Sequence, residues 1–178
     1  TSTGMLAVWE ADYSSDPNFS GSDEIRFEVT SPYGTSSAGV ISIYVSPVND
    51  LPIMDNVSDV SMDEDGTSSI SVNYSDVDGT LSASVSSDSD DVTVSINSGS
   101  ESATINIAPA ADYFGTSSAT VTVSDGEASV SSTFIITVNS VNDAPVITSS
   151  PAATDVELGT TFSYQIIASD IDDIVFSY

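Results

Sequence analysis

The stretch VNDLP, residues 48–52, is written again with one change as VNDAP at residues 141–145. Ninety-three positions separate the two copies. Alone, either copy is a polar turn closed by a proline. Its surroundings repeat as well. MDEDGT (62–67) matches DVELGT (155–160) at the same spacing, which sets Glu64 against Glu157 and Gly66 against Gly159. YSDVDG (74–79) matches ASDIDD (168–173), and NFSGSDEIRFEVT (18–30) matches DYFGTSSATVTVS (112–124), at ninety-four. A fixed spacing of this size marks tandem copies of one structural unit. One complete unit therefore covers residues 48–141. Residues 1–47 read as the second half of a preceding unit, and residues 142–178 as the first half of a following one. The pentapeptide is the junction. Its proline removes a donor and stiffens the link, and its Asn and Asp bring oxygens to the seam.

Within each unit the apolar residues alternate with period two, and no helical stripe competes with them. EIRFEVT places Ile25, Phe27 and Val29 on one face, and ATVTVSD places Ala119, Val121 and Val123 there. VTVSI offers Val92, Val94 and Ile96, and FSYQIIA offers Phe162, Tyr164, Ile166 and Ala168. Ser and Thr fill the opposite faces, as antiparallel strands with one wet side require. Gly, Pro, Asn and Asp punctuate the runs. Short strands at this spacing predict an all-β chain of sandwiches. Trp9, inside the strand-like run GMLAVWE, is expected in a core.

Composition narrows the chemistry. The chain has 178 residues, 27 acids, one base (Arg26) and a formal charge of −26. Lys, His and Cys are absent. No thiol can serve as nucleophile, disulfide or soft metal ligand, no imidazole as general base or zinc ligand, and no lysine as Schiff base or isopeptide staple. The charge repels the phosphates of nucleic acids and an anionic membrane surface. No apolar run is long enough to span a bilayer. Carboxylates, amides and hydroxyls remain, and these are the ligands of hard cations, above all Ca²⁺. Most of the acids need no explanation beyond a soluble surface. The exceptions are those that recur at fixed positions. DVDG opens like an EF-hand loop, but the position that needs Glu is Ser87, and the EF-hand reading fails. SSDSDD (86–91) has no second copy and reads as a solvated loop.

The ordered set PVNDLP, SVNDAP, DEDGT, DVDG, PAADYFG and VSDGE resembles bacterial cadherin-like tandem repeats. The part after Val141 is similar to their dystroglycan-type variant. The resemblance implies Ig-like or cadherin-like Greek-key sandwiches, one complete and two partial, in extracellular arrays stiffened by Ca²⁺ at the domain junctions. It gives the family's linker pair to Asn49 and Asp50, and again to Asn142 and Asp143. Its Asp-x-Asp falls on Asp76 and Asp78, and again on Asp170 and Asp172. Asp125 would join the upper junction. Glu64 would serve the lower one, with Asp112 beside it. Pro47 and Leu51 stand where animal cadherins carry the outer linker ligands, as do Ser140 and Ala144 in the second copy, so fewer ions per junction follow. Asn18, opposite Asp112, would weaken the upper site. The strand-exchange Trp of the animal proteins has no counterpart.

A Ca²⁺-stiffened stalk or fibre segment of a cell-surface adhesion protein is the function this implies, with no catalytic residues. Its partners would be neighbouring domains. A carbohydrate-binding module is the alternative, with surface glycans as partner and Tyr13, Tyr33, Tyr44, Tyr113 and Phe114 as candidate stacking residues. Residue 1 falls in mid-pattern, so the chain reads as a piece of a longer one. Each half-unit alone leaves an apolar stripe and open edges. The expectation is that further protein completes them, either more of the same chain or a head-to-tail copy.

Overall fold

A computed structural model describes residues 8–150 and 155–172. The N-terminal part of GMLAVWE, residues 151–154, and Asp173 of the last motif lie outside them. In chain order the strands are β1 (Gly21–Phe27), β2 (Thr30–Ser31), β3 (Gly34–Thr35), β4 (Gly39–Val45), β5 (Ile53–Met54), β6 (Val60–Asp63), β7 (Ser68–Ser75), β8 (Ser82–Ser87), β9 (Val92–Ser98), β10 (Ser102–Pro109), β11 (Gly115–Ser124), β12 (Ser129–Asn139), β13 (Val146–Ile147) and β14 (Ala168–Ser169). Among the described residues no helix is long and apolar enough to cross a membrane.

Strands β5 to β12 build a complete sandwich of two four-stranded sheets, ordered β5-β7-β10-β9 and β6-β12-β11-β8. The alternating pattern decides which side chains meet. From one sheet Val72, Tyr74, Val92, Ala103, Ile105 and Ile107 point inward, and from the other Val60, Met62, Ala119, Val121, Val123, Phe134, Ile136 and Val138. Each of the larger side chains contributes about 1.5–3 kcal/mol by leaving water. Tyr74 keeps its hydroxyl satisfied at the rim, 2.8 Å from the Gly99 carbonyl and 3.0 Å from that of Ser102.

The first strand is divided between the sheets. β5 pairs antiparallel with β7, whereas β6 pairs parallel with β12. Val57 is buried in the crossing segment, and Asp59 Oδ1 there accepts the Ile135 amide at 2.7 Å. The broad outer faces are almost free of charge. The outward positions of β8 and β11 are all Ser or Thr, and hydroxyls pair across to β12, Thr120 with Thr133 at 2.9 Å and Thr122 with Ser131 at 2.8 Å. Between residues 48 and 145 only one acid, Asp63, lies within a strand. The others sit in loops, most of them at the two ends of the sandwich.

The repeat is visible as hydrogen-bond register. β1 and β4 form an antiparallel ribbon in which Gly21 faces Val45 and Ile25 faces Ile41. β11 and β12 pair the matching residues, Gly115 with Val138 and Ala119 with Phe134. β13 and β14 pair Val146 with Ser169 and Ile147 with Ala168, as β5 and β7 pair Ile53 with Ser75 and Met54 with Tyr74. Even a backbone oddity recurs: Asn18 and Asp112 have φ of 60° and 57°.

Two expectations are corrected. FSYQIIA is strand only at its end, Ala168–Ser169. Its counterpart β7 is held between β5 and β10, whereas among the described residues only β13 pairs with this segment. Trp9 is 86% exposed and belongs to no core, because no sheet lies against it among the described residues.

Candidate metal centres at the domain junctions

Topology gathers the acids. The linker before β5, the β7–β8 loop and the β11–β12 turn share one end of the sandwich. The turn after β6, the loop before β11 and the linker after β12 share the other.

At the first end, Asp76 Oδ1 accepts the amides of Asp78 at 2.9 Å and Gly79 at 2.8 Å, the turn that an Asp-x-Asp-Gly sequence favours. These amides hold the Asp76 carboxyl below the ordinary carboxylate range. Partial burial, and then the neighbouring Asp76 carboxyl, raise Asp78, although the Asp50 amide donates to it. Asp125 Oδ1 accepts the amides of Glu127 at 2.7 Å and Ala128 at 2.6 Å, and its Oδ2 accepts Asn49 Nδ2 at 2.9 Å. The Ala128 amide first, and Asn49 next, lower its pKa. The loops touch closely: a Cβ on Gly79 would stand 2.8 Å from Asp125 Cβ, so only glycine fits there. Asn49, Asp50, Asp76, Asp78 and Asp125 are thus brought to one place.

At the other end the same local bonds recur. Asp172 donates its amide to Asp170 Oδ1 at 2.9 Å, as Asp78 does to Asp76. Asp143 donates its amide to Asp172 Oδ2 at 2.7 Å, as Asp50 does to Asp78. Asn142 Nδ2 reaches the Asp143 carbonyl at 2.6 Å, and Asn49 Nδ2 reaches that of Asp50 at 2.8 Å. Glu64, 5% exposed, spends Oε1 on the Val141 amide at 2.6 Å and so ties β6 to the linker. Asp112 lies beside Asp143. So does Asp65, which the sequence reading missed. Oxygens of Asp65, Asp112 and Asp143 all lie within 4.8 Å of one another, and the Asp112 amide donates to Asp65 Oδ1 at 3.2 Å. Asp65 carried no recurrence signal, because its counterpart in the following unit is Leu158. Burial, then the charges of Asp112, Asp65, Asp172 and Glu64, raise the Asp143 carboxyl. A cavity of about 410 Å³ opens here between Asp112, Asp143, Ser169 and Asp170.

One observation is common to both ends. Asp76 Oδ2 and Asp143 Oδ2 are buried without a hydrogen-bond partner. An anionic oxygen removed from water without a donor is costly. A cation offsets that cost, and the oxygen donors gathered at both ends, carboxylates and a side-chain amide, suit Ca²⁺. Asp88, outside both clusters, is not a free loop acid. Its carboxylate takes the Ser118 amide and hydroxyl, each at 2.8 Å, and is lowered by them.

These shifts set a pH profile for the chain without divalent cations. Asp78 and Asp143, raised when folded, bind protons at a pH where the unfolded chain has released them, so stability falls as pH rises just above about 4. Asp76, Asp88 and Asp125, lowered when folded, contribute stability above that value and lose it as pH falls further. Thermal melts in a chelator are expected to peak in mildly acidic solution and decline towards both neutrality and strong acid. A melting temperature that climbs steadily to neutral pH would contradict the proximity of these carboxyls.

The aromatic candidates are spread out. Tyr13 donates its hydroxyl to Asp23 Oδ2 at 3.1 Å, and Tyr113 packs against the core. Tyr33 stands 99% exposed at the tip of the β2–β3 hairpin; Tyr44 and Phe114 are also exposed.

Two sheets with this strand order, a divided first strand and a parallel pairing of first with last, define an immunoglobulin-like sandwich. The family model for the bacterial Ig domain matches residues 49–139, and the chain belongs to that family. Such domains are typically non-catalytic and typical of extracellular or surface proteins. No curated protein matches the chain. Among solved structures, titin domains z1z2 in complex with telethonin align over 67% of this chain and 62% of theirs, at 14% identity and a TM-score of 0.48. An endo-fucoidan hydrolase of glycoside hydrolase family 107 aligns over 68% of this chain, at 20% identity and a TM-score of 0.41. The surface layer protein SbsC, domains 1–6, aligns over 72% at 18% identity and 0.44. The chain spans 19% of the hydrolase and 18% of the surface layer protein.

Proposed function

We propose that this chain is a calcium-stiffened repeat of a large extracellular adhesion protein, joined to its neighbours in the manner of cadherin-like arrays. The observation that carries the reading is the buried, donor-less carboxylate oxygen at each end of the complete sandwich, Asp76 Oδ2 and Asp143 Oδ2. Each lies among acids that repel one another until a dication neutralises them. Asn49, Asp50, Asp76, Asp78 and Asp125 hold the ion at one junction. Asp65, Asp112, Asn142, Asp143, Asp170 and Asp172 hold it at the other, and Glu64 fixes the linker that presents them. Extracellular modules bind Ca²⁺ with dissociation constants of roughly 10⁻⁴–10⁻³ M, which suits a millimolar environment.

Small-angle scattering tests the stiffening. Added Ca²⁺ is expected to lengthen and narrow the distribution of interatomic distances, and Asp143→Asn to abolish the change at the second junction. Identical scattering with Ca²⁺ and with a chelator would remove the proposal.

A further inference from the structure

The sequence contains three Asp–Gly bonds, at Asp65, Asp78 and Asp125, all at the junctions. Such bonds are prone to isomerisation. The glycine amide nitrogen attacks the aspartate Cγ, a side-chain oxygen leaves as water, and a succinimide forms. Water then reopens the ring at either carbonyl, giving back aspartate or leaving a β-linked isoaspartate, with no redox change. The reaction needs a mobile side chain and an accessible glycine nitrogen.

The three bonds differ most in how firmly the aspartate side chain is held. Both Asp125 oxygens are occupied, by the Glu127 and Ala128 amides and by Asn49, and the Gly126 amide donates to Ser124 Oγ at 3.1 Å. The Asp78 carboxylate receives the Asp50 amide, and the Gly79 amide donates to Asp76 Oδ1 in a loop packed against Asp125. Asp65 is exposed and is held by one contact, the Asp112 amide at 3.2 Å. Gly66 closes the turn after β6, and the nearest atoms to the place its Cβ would occupy, apart from its chain neighbours, are the backbone carbonyls of Asp63 at 3.2 Å and Glu64 at 4.0 Å. Asp65 also has φ of 58°, the left-handed region that most residues with a Cβ avoid and that Asp enters more readily than they do. The extra methylene of a β-linkage releases that restraint. Repulsion from Asp112 and Asp143 loosens the side chain further.

We propose that Asp65–Gly66 is the site of spontaneous aspartate isomerisation in this chain, and that a cation at the lower junction suppresses it. The second clause rests on the calcium reading above; the first does not. Ageing residues 1–178 at neutral pH in a chelator, followed by digestion and mass spectrometry with isoaspartyl methyltransferase labelling, tests both. Isoaspartate is expected several-fold more at Asp65 than at Asp78 or Asp125, and Gly66→Ala is expected to remove it. Equal conversion at the three sites, or a majority at either of the others, would overturn the assignment, whatever the folding of the variant. Millimolar Ca²⁺ is expected to slow conversion at Asp65 several-fold. A rate unaffected by Ca²⁺, with the ranking intact, would overturn the protective role alone.

Discussion

Phe134→Ala is expected to lower the stability of the complete sandwich by about 3–5 kcal/mol, the usual cost of a buried Phe reduced to a methyl. The side chain is 1% exposed and lies between the two sheets. A domain of this size has only about 5–15 kcal/mol in all, so the variant sits near the edge of folding. Ile41 supplies the internal control. It occupies the register position in the β1–β4 ribbon that Phe134 occupies in the β11–β12 pair, yet it is 50% exposed. Ile41→Ala should cost about 1 kcal/mol or less. Urea melts followed by circular dichroism compare the two. Equal midpoint shifts would mean that the ribbon face is covered in solution.

Calcium is expected to raise the melting temperature, and a chelator to lower it. A ligand that binds only the folded form adds RT ln(1 + [L]/Kd), about 1.4 kcal/mol per site at tenfold excess. Two junctions give about twice that. Asp78→Asn should blunt the response, because it removes a charge from the upper cluster. Asp90→Asn, in an exposed turn outside both clusters, should not. Differential scanning calorimetry at matched ionic strength separates the two; equal responses would reduce calcium to a diffuse counter-ion.

Strand positions were legible wherever alternation was reinforced by neighbours. β11 shows this best: Ala119, Val121 and Val123 read as one face and are fully buried. FSYQIIA carries the same alternation, but its partner β13 is only two residues long, and pattern alone did not make it a strand. Trp9 fails likewise, since an apolar letter finds a core only if a second sheet faces it. The linker Asn–Asp pairs, the Asp-x-Asp pairs and Glu64 were legible because they recur, whereas Asp112 and Asp125 were reached only through the family resemblance. Asp65 does not recur, and its place beside Asp112 depends on how the β6–β7 turn meets the loop before β11, a contact made across 47 residues. Asp88 read as solvated because nothing in SSDSDD announces Ser118, thirty residues away, as its partner.

The parallel pairing of β6 with β12 bears on how the chain carries tension. A pull along an array enters the sandwich before Ile53 and leaves after Asn139, so it draws these two strands in opposite directions along their common axis. Val60, Ser61, Met62 and Asp63 face Ile136, Thr137, Val138 and Asn139. Their hydrogen bonds are loaded in shear and must yield together, whereas a hairpin pulled from its open end unzips one rung at a time. The Glu64–Val141 bond at 2.6 Å stands at the exit of this patch and shares the strain. Under such a pull the load would fall on these four residue pairs rather than on the breadth of the core.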